Sequence, residues 1–240
     1  DLLGILVGRI FGPAGILGIS SMAIICAVTN SNGSVYYALM QTYGDDIDCA
    51  CMPILAINDG PFLTLVALGA SGLADIPIMS LVAALVPIIA GMILGNLDNK
   101  VTEFFGPVGD AIIPFTGFSL GAGIDLANVL KGGVSGIVLG LITIFIGGGF
   151  IYLCDHFIGR RPGYAACAVA TTAGNAVAVP AVIGTADPAW AEFVGTATVQ
   201  VAASTVLSAL LVPFIVSWWA KKFGCPKFPK EAKAEKASGK

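Results

Sequence analysis

Charge is what this sequence has least of. Only 11% of its 240 residues are Asp, Glu, Lys or Arg, against 56% hydrophobic residues and a mean hydropathy of +0.89. Soluble domains carry about 25% charged residues. A chain this poor in charge cannot cover a water-facing globule, so most of its outer surface must face lipid. Histidine is almost missing as well. The single His156 stands beside Asp155, which argues against a histidine metal centre or a catalytic triad and gives a loop or interface residue instead. None of the six cysteines (Cys26, Cys49, Cys51, Cys154, Cys167, Cys225) is paired at the spacing of a metal knuckle. Most lie in or beside apolar runs, where a thiol packs as a small hydrophobe. No basic patch interleaved with aromatics precedes the tail, so nucleic acid is not a partner. No nucleotide-binding motif is present, so ATP does not drive this chain, and no cofactor or enzyme activity is expected.

What the sequence does have is long apolar runs. A bilayer-spanning helix needs about 20 mostly apolar residues. Seven such runs lie at 14–40, 50–72, 76–97, 104–124, 133–153, 164–184 and 193–219. A soluble α/β protein fails on 80–94 and 136–153, which contain no charge. The first ten or so residues are apolar but too short to span, and no basic region precedes them as in a signal peptide. They read as the end of a spanning helix whose start is missing, so the chain is expected to be N-terminally truncated. After Trp219 the composition changes to Lys221, Lys222, Lys227, Lys230, Lys233, Lys236 and Lys240 with Pro226 and Pro229. That reads as a solvated, disordered tail, cytoplasmic by the positive-inside rule, with Trp218 and Trp219 in the interfacial aromatic belt. Counting spans back, the joint with Arg160 and Arg161 is also cytoplasmic, and the joints with Asp75 and Asp187 lie outside. The acidic joint at 45–48 falls inside without a basic residue of its own.

Two runs are poor as continuous helices. The first carries Thr29-Asn30-Ser31-Asn32-Gly33-Ser34 at its middle, and the sixth carries Thr171-Thr172-Ala173-Gly174-Asn175 followed by Pro180. Proline removes a backbone donor. Unpaired backbone is costly in hydrocarbon, so such stretches survive only where protein or a watery cavity satisfies them. There, half-helix N-termini can face an anion, and freed carbonyls can face a cation. Sliding the sequence by about 141 positions lays the first broken run over the sixth, Asp59 over Gln200 and Thr64 over Thr205. An odd number of spans separates them, so the repeats would be inverted in the membrane. The blander alternative is that Asn and Ser only glue helices together. Asn58 and Asp59 bring an amide and a carboxylate to membrane depth, where ionisable residues mark function by default. Thr198 and Gln200 begin the last run at the equivalent place.

In combination, several of these stretches resemble the 2-keto-3-deoxygluconate permease family. They are Asn32-Gly33 with Tyr36 and Met40-Gln41-x-Tyr43-Gly44, Gly60-Pro61 with Thr64, and Gly95-Asn96-Leu97-Asp98. Ile113-Pro114-Phe115 with Leu120-Gly121 and Ile124-Asp125-Leu126 follow, then the Gly174/Pro180 run. One departure is that some members have Glu-Ser-Gly-Pro where this chain has Asn58-Asp59-Gly60-Pro61. The resemblance implies an all-α polytopic membrane protein with a ten-helix inverted-repeat transporter fold and two crossing discontinuous helices. On that template 1–72 holds the end of helix 3, broken helix 4 and helix 5. Helices 6–10 occupy 76–219, and 220–240 is the Lys-rich tail. It implies secondary active import of 2-keto-3-deoxygluconate, a sugar-acid anion, by proton symport across the bacterial inner membrane. Asn30, Ser31, Asn32 and Ser34 would meet Thr171, Thr172, Gly174 and Asn175 at the crossing. Asn58, Asp59, Thr64, Thr198 and Gln200 would complete the substrate and ion site, with Asp59 as proton carrier. Sodium coupling through Asn30, Asp59 and Thr64 is the rival reading, and a channel a more distant one. The sequence admits a homo-oligomer.

Overall fold

The computed structural model describes residues 2–52, 54–55, 61–73, 75–105, 107–108, 118 and 126–229. All named elements among them are helical. In chain order they begin with α1 (Leu2–Phe11), α2 (Ser21–Thr29), α3 (Gly33–Tyr43), α4 (Asp46–Ala50), α5 (Pro61–Ser71) and α6 (Ile78–Leu97). α7 (Leu126–Leu141) runs through a π-helical turn (Ile142–Gly147) into α8 (Gly148–Phe157). Then come α9 (Tyr164–Val169), a 3-10 turn (Asn175–Ala178), α10 (Val179–Ala186), a second 3-10 turn (Pro188–Trp190) and α11 (Ala191–Phe223).

Three boundaries differ from the hydropathy reading. Residues 12–20 are not the start of a helix. Leu17 takes a positive φ of 55°, and Ile16 and Ile19 close a tight turn by exchanging backbone hydrogen bonds of 3.1 and 2.9 Å. A Cβ on Gly15 would lie 1.9 Å from the Ile19 carbonyl oxygen. Glycine geometry therefore overrides apolar composition here, and α2 starts only after Ser20, whose hydroxyl caps Ala23 N at 3.0 Å. The joint expected at 125–133 is helical from Leu126 and breaks only at Gly133, with φ 54°. At the other end α11 continues to Phe223, and the chain then folds back. Lys227 Nζ donates to the Gln41 carbonyl, and the Phe228 ring lies 6.0 Å from that of Tyr43. The run at 104–124, and 56–60 within the run 50–72, lie mainly or wholly outside the described residues.

Two apolar helical stretches, Gly133–Phe157 and Pro188–Phe223, are long enough to cross a bilayer by length and composition. They pack on each other through small residues. A Cβ on Gly136 would come within 2.5 Å of Ala203 Cβ, and one on Gly140 within 2.8 Å of Leu207 Cδ2. Gly at i and i+4 lets two helix backbones approach, the usual device where lipid gives no hydrophobic drive between helices. One apolar cluster gathers α2, α5, α10 and the start of α11 around Ile24, Leu65, Ile183 and Val201. A second gathers α3, α9 and the end of α11 around Tyr36, Tyr164, Val212 and Val216.

Large apolar side chains face outward along whole elements: Val82, Val86, Ile89 and Ile93 on α6, Phe150 and Leu153 on α8, Leu210 and Phe214 on α11. Stripes this extensive suit lipid and would not suit water. The joints meet one another at two ends of the molecule. At one end Asp75 N donates to Asp187 Oδ2 at 2.9 Å. At the other, the tail-side end, Trp219 Nε1 donates to Pro162 O at 2.8 Å and Arg161 pairs with Asp48. The acidic joint at 45–48 thus takes its positive charge from a distant loop.

Candidate functional site

The polar stretches at 29–34 and 171–175 are the places where two helices stop in mid-run. α2 ends at Thr29, and Asn30 is extended, with φ −112° and ψ 107°. Asn32 then caps α3 by accepting from Val35 N at 3.1 Å. α9 ends at Val169, and the chain stays irregular until the 3-10 turn at Asn175. Asn and Ser favour such breaks because their side chains offer the backbone an alternative partner.

The two breaks satisfy each other. Asn32 N donates to Thr171 Oγ1 at 2.8 Å, and Ala173 N donates to Asn30 O at 2.8 Å. The shift of about 141 positions that lays the first broken run over the sixth converts the first pair of positions into the second. Thr172 Oγ1 adds a bond to Ala27 O at 3.2 Å.

The helix after each break supplies the remaining partners. On α5, buried Thr64 Oγ1 accepts from Asn30 Nδ2 at 3.1 Å and meets Thr29 Oγ1 at 3.0 Å. Asn30 Nδ2 also donates to Cys26 O at 3.0 Å. On α11, Thr205 Oγ1 donates to Ala173 O at 3.1 Å. Ser204 Oγ meets Thr172 Oγ1 at 2.7 Å, and Ser208 Oγ accepts from Thr172 N at 2.9 Å. Thr64 and Thr205, matched by the shift, each bond to a break, Thr64 by accepting from the Asn30 side chain and Thr205 by donating to the Ala173 carbonyl. Ser204 and Ser208 were not singled out in the sequence. Their helical spacing, with Thr205 between them on an otherwise apolar helix, was the available signal.

Two polar atoms at the breaks are left over. Ser31 Oγ and Asn175 Oδ1 are buried without a hydrogen-bond partner among the described residues. A buried unpaired polar atom costs about 1–3 kcal/mol, so such atoms call for a functional or structural cause. Gly174 leads into the 3-10 turn beside Asn175, and Ser34 is exposed in the first turn of α3. Asn58 and Asp59 lie outside the described residues. Thr198 is half-buried on α11. Gln200 is fully engaged elsewhere. Its Oε1 accepts from Ser20 N at 3.1 Å, and its Nε2 donates to Gly18 O at 2.6 Å and Ser135 Oγ at 3.2 Å. It ties the turn at 12–20 to α7 and α11.

A second polar network, not read from the sequence, sits at the tail-side end. Asp48 is buried, with 1% of its side chain exposed, and lies 2.7 Å from Arg161. Tyr164 OH donates to Asp48 Oδ2 at 2.6 Å, Arg161 donates to Tyr164 OH at 2.9 Å, and Tyr36 OH donates to Asp48 O at 2.9 Å. Asp45 and Asp48 form a reciprocal capping box on α4. The Asp48 backbone N–H, with help from the Arg161 charge, holds the Asp45 carboxyl below its ordinary value. Burial works against the Arg161 charge, but Tyr164 and the two aspartates outweigh it and raise its pKa.

A sequence profile described as 2-keto-3-deoxygluconate permease matches residues 1–225. The 2-keto-3-deoxygluconate permease 1 of Salmonella typhimurium is 49% identical over 220 residues, covering 92% of this chain and 69% of the relative. The permeases of Xanthomonas euvesicatoria and Bacillus subtilis are 38% and 36% identical, over 88% and 92% of this chain and 66% and 68% of those proteins. No solved structure matches the chain. These relatives are permeases, not enzymes, and the match runs through both breaks and the helices that support them: the chain belongs to the 2-keto-3-deoxygluconate permease family.

Proposed function

We propose that this chain carries the substrate-binding crossing of a secondary transporter that takes up 2-keto-3-deoxygluconate by proton symport across the bacterial inner membrane. The observation that carries this reading is the pair of mutually bonded breaks with two buried, unpartnered polar atoms, Ser31 Oγ and Asn175 Oδ1. A hydroxyl-rich sugar acid can fill both: Ser31 donates to or accepts from a sugar hydroxyl, and Asn175 Oδ1 accepts from another. The N-terminus of α3 offers the substrate carboxylate a partial positive charge. Thr64, Thr171 and Thr172 already bond to the breaks, so in this reading they shape the site, and Gln200 anchors a loop.

The reciprocal bonds between the breaks support two inverted repeats, with α1–α5 closing the first and α6–α11 forming the second, on a ten-helix plan. The Lys-rich tail supports a cytoplasmic C-terminus. Proton coupling is assigned to Asp59, at membrane depth beside Gly60-Pro61. The sodium alternative needs oxygen ligands from Asn30, Asp59 and Thr64. Asn30 turns its Nδ2, a donor, toward Thr64 Oγ1, which favours the proton. The test is uptake of labelled substrate by cells expressing the full open reading frame. Ser31→Ala and Asn175→Ala should weaken apparent affinity at unchanged expression. Wild-type kinetics in both would move the site away from the crossing.

A further inference from the structure

The tail-side network is costly, and nothing in the crossing accounts for it. Removing a carboxylate and a guanidinium from water takes back much of what their attraction returns, and apolar replacements of a buried pair are often neutral or stabilising. A buried ion pair therefore points to the fixing of a particular arrangement more than to stability. Its two tyrosines lie on the two half-helices at this end of the breaks. Tyr164 is the first residue of α9, which runs directly to Thr171. Tyr36 is in the first turn of α3, which Asn32 caps. Asp48, on α4, holds both tyrosines and Arg161.

Among the described residues the opposite end shows no equivalent ion pair. The repeat shift lays Asp48 over Ala189 and Arg161 over Ser20, and there α2 meets α10 through apolar side chains such as Ile24 and Ile183. The charge pair therefore breaks the repeat symmetry and belongs to one end alone.

We propose that Asp48, Arg161 and Tyr164 form a positioning clamp that fixes α3 to α9 as one body and so sets the approach of the two breaks. Tyr36 carries the clamp into α3 through the Asp48 carbonyl. The consequence for substrate affinity rests on the crossing being the binding site.

Arg161→Gln alone would leave Asp48 buried and unpaired and could fail to fold. The informative variant is Asp48→Leu/Arg161→Met/Tyr164→Phe, which removes charges and hydroxyl together, alongside Arg161→Lys, which keeps the charge. Two readouts are needed on purified full-length protein in proteoliposomes. The first is amide hydrogen exchange at the crossing bonds of Asn32 N and Ala173 N, which does not depend on substrate. The second is the split between KM and maximal rate for 2-keto-3-deoxygluconate.

The clamp predicts faster exchange at both amides in the triple variant, an unchanged melting temperature, and a KM raised about 10-fold. Arg161→Lys should recover part of the KM. Unchanged exchange at 32 and 173 overturns the clamp. So does a lowered melting temperature without a local change at the breaks, the signature of a purely structural network. Faster exchange with wild-type KM upholds the clamp and overturns the crossing as the binding site.

Discussion

At the residue scale, the polar side chains of the two breaks divide by whether their hydrogen bonds are already spent. Asn30, Thr64, Thr171 and Thr172 are held by named partners, whereas Ser31 Oγ and Asn175 Oδ1 are not. Removing a neutral hydrogen bond to substrate costs about 0.5–1.5 kcal/mol, roughly 2–10-fold in affinity. Ser31→Ala and Asn175→Ala should each raise KM by that factor, with little effect on folding because no internal bond is lost. Thr172→Val should instead lower the melting temperature, since it strips Ala27 O and Ser204 of a partner. A thermal-shift series across these three variants checks the division. Asp59→Asn keeps the shape of the side chain but cannot titrate. It should retain substrate exchange and lose accumulation driven by a pH gradient; full proton-driven accumulation would remove Asp59 from the coupling role.

Asp45 gives a pH prediction of definite sign. Its folded-state carboxyl titrates below the ordinary 3.8. Its contribution to the α4 cap is therefore complete above that value and disappears as pH falls through the lower folded one. Protection of the α4 amides, their exchange relative to the intrinsic rate at each pH, should fall in acid below about pH 4, and Asp45→Asn should flatten that dependence.

At the element scale, the pairing of α7 with α11 depends on Gly136 and Gly140. Overpacking a close contact costs about 1–3 kcal/mol, and here backbones must part to admit any side chain. Gly136→Val should lower the melting temperature and the amount of protein recovered in detergent. Gly149, with open space beyond its Cβ position, should tolerate Ala at the same assay. The spacing of Gly136 and Gly140 was not singled out in the sequence, and only packing reveals their partners Ala203 and Leu207 on α11. The turn at 12–20 shows the opposite failure. Its apolar residues satisfy a hydropathy window, while the close approach of Gly15 to the Ile19 carbonyl forbids a helix.

At the scale of the whole molecule, the proposed inverted-repeat plan would let two breaks bonded reciprocally across a shift of about 141 positions exchange the roles of the halves between two conformations. A carrier built this way should accumulate substrate against a gradient and saturate. In proteoliposomes, an imposed pH gradient should drive uptake and a sodium gradient alone should not. Sodium-driven uptake would instead assign the oxygens around Asn30 to a cation.

The sequence by itself determined the lipid-facing class, the family and the position of both helix breaks. The class and the breaks follow from local composition, since so many charge-free runs cannot cover a water-facing globule and clustered Asn, Ser, Gly and Pro cannot remain a plain helix; the family follows from the resemblance of the combined motifs. Only the tertiary structure decided which break partners which. It joined Asn32 to Thr171 and Asn30 to Ala173, supplied Ser204 and Ser208 from a helix far along the chain, and brought Arg161 to Asp48. It also bonded the side chain of Gln200, on α11, to the turn at 12–20, whereas alignment with Asp59 had suggested the site. Such pairings are set by packing between elements distant in sequence, and local pattern carries no record of them.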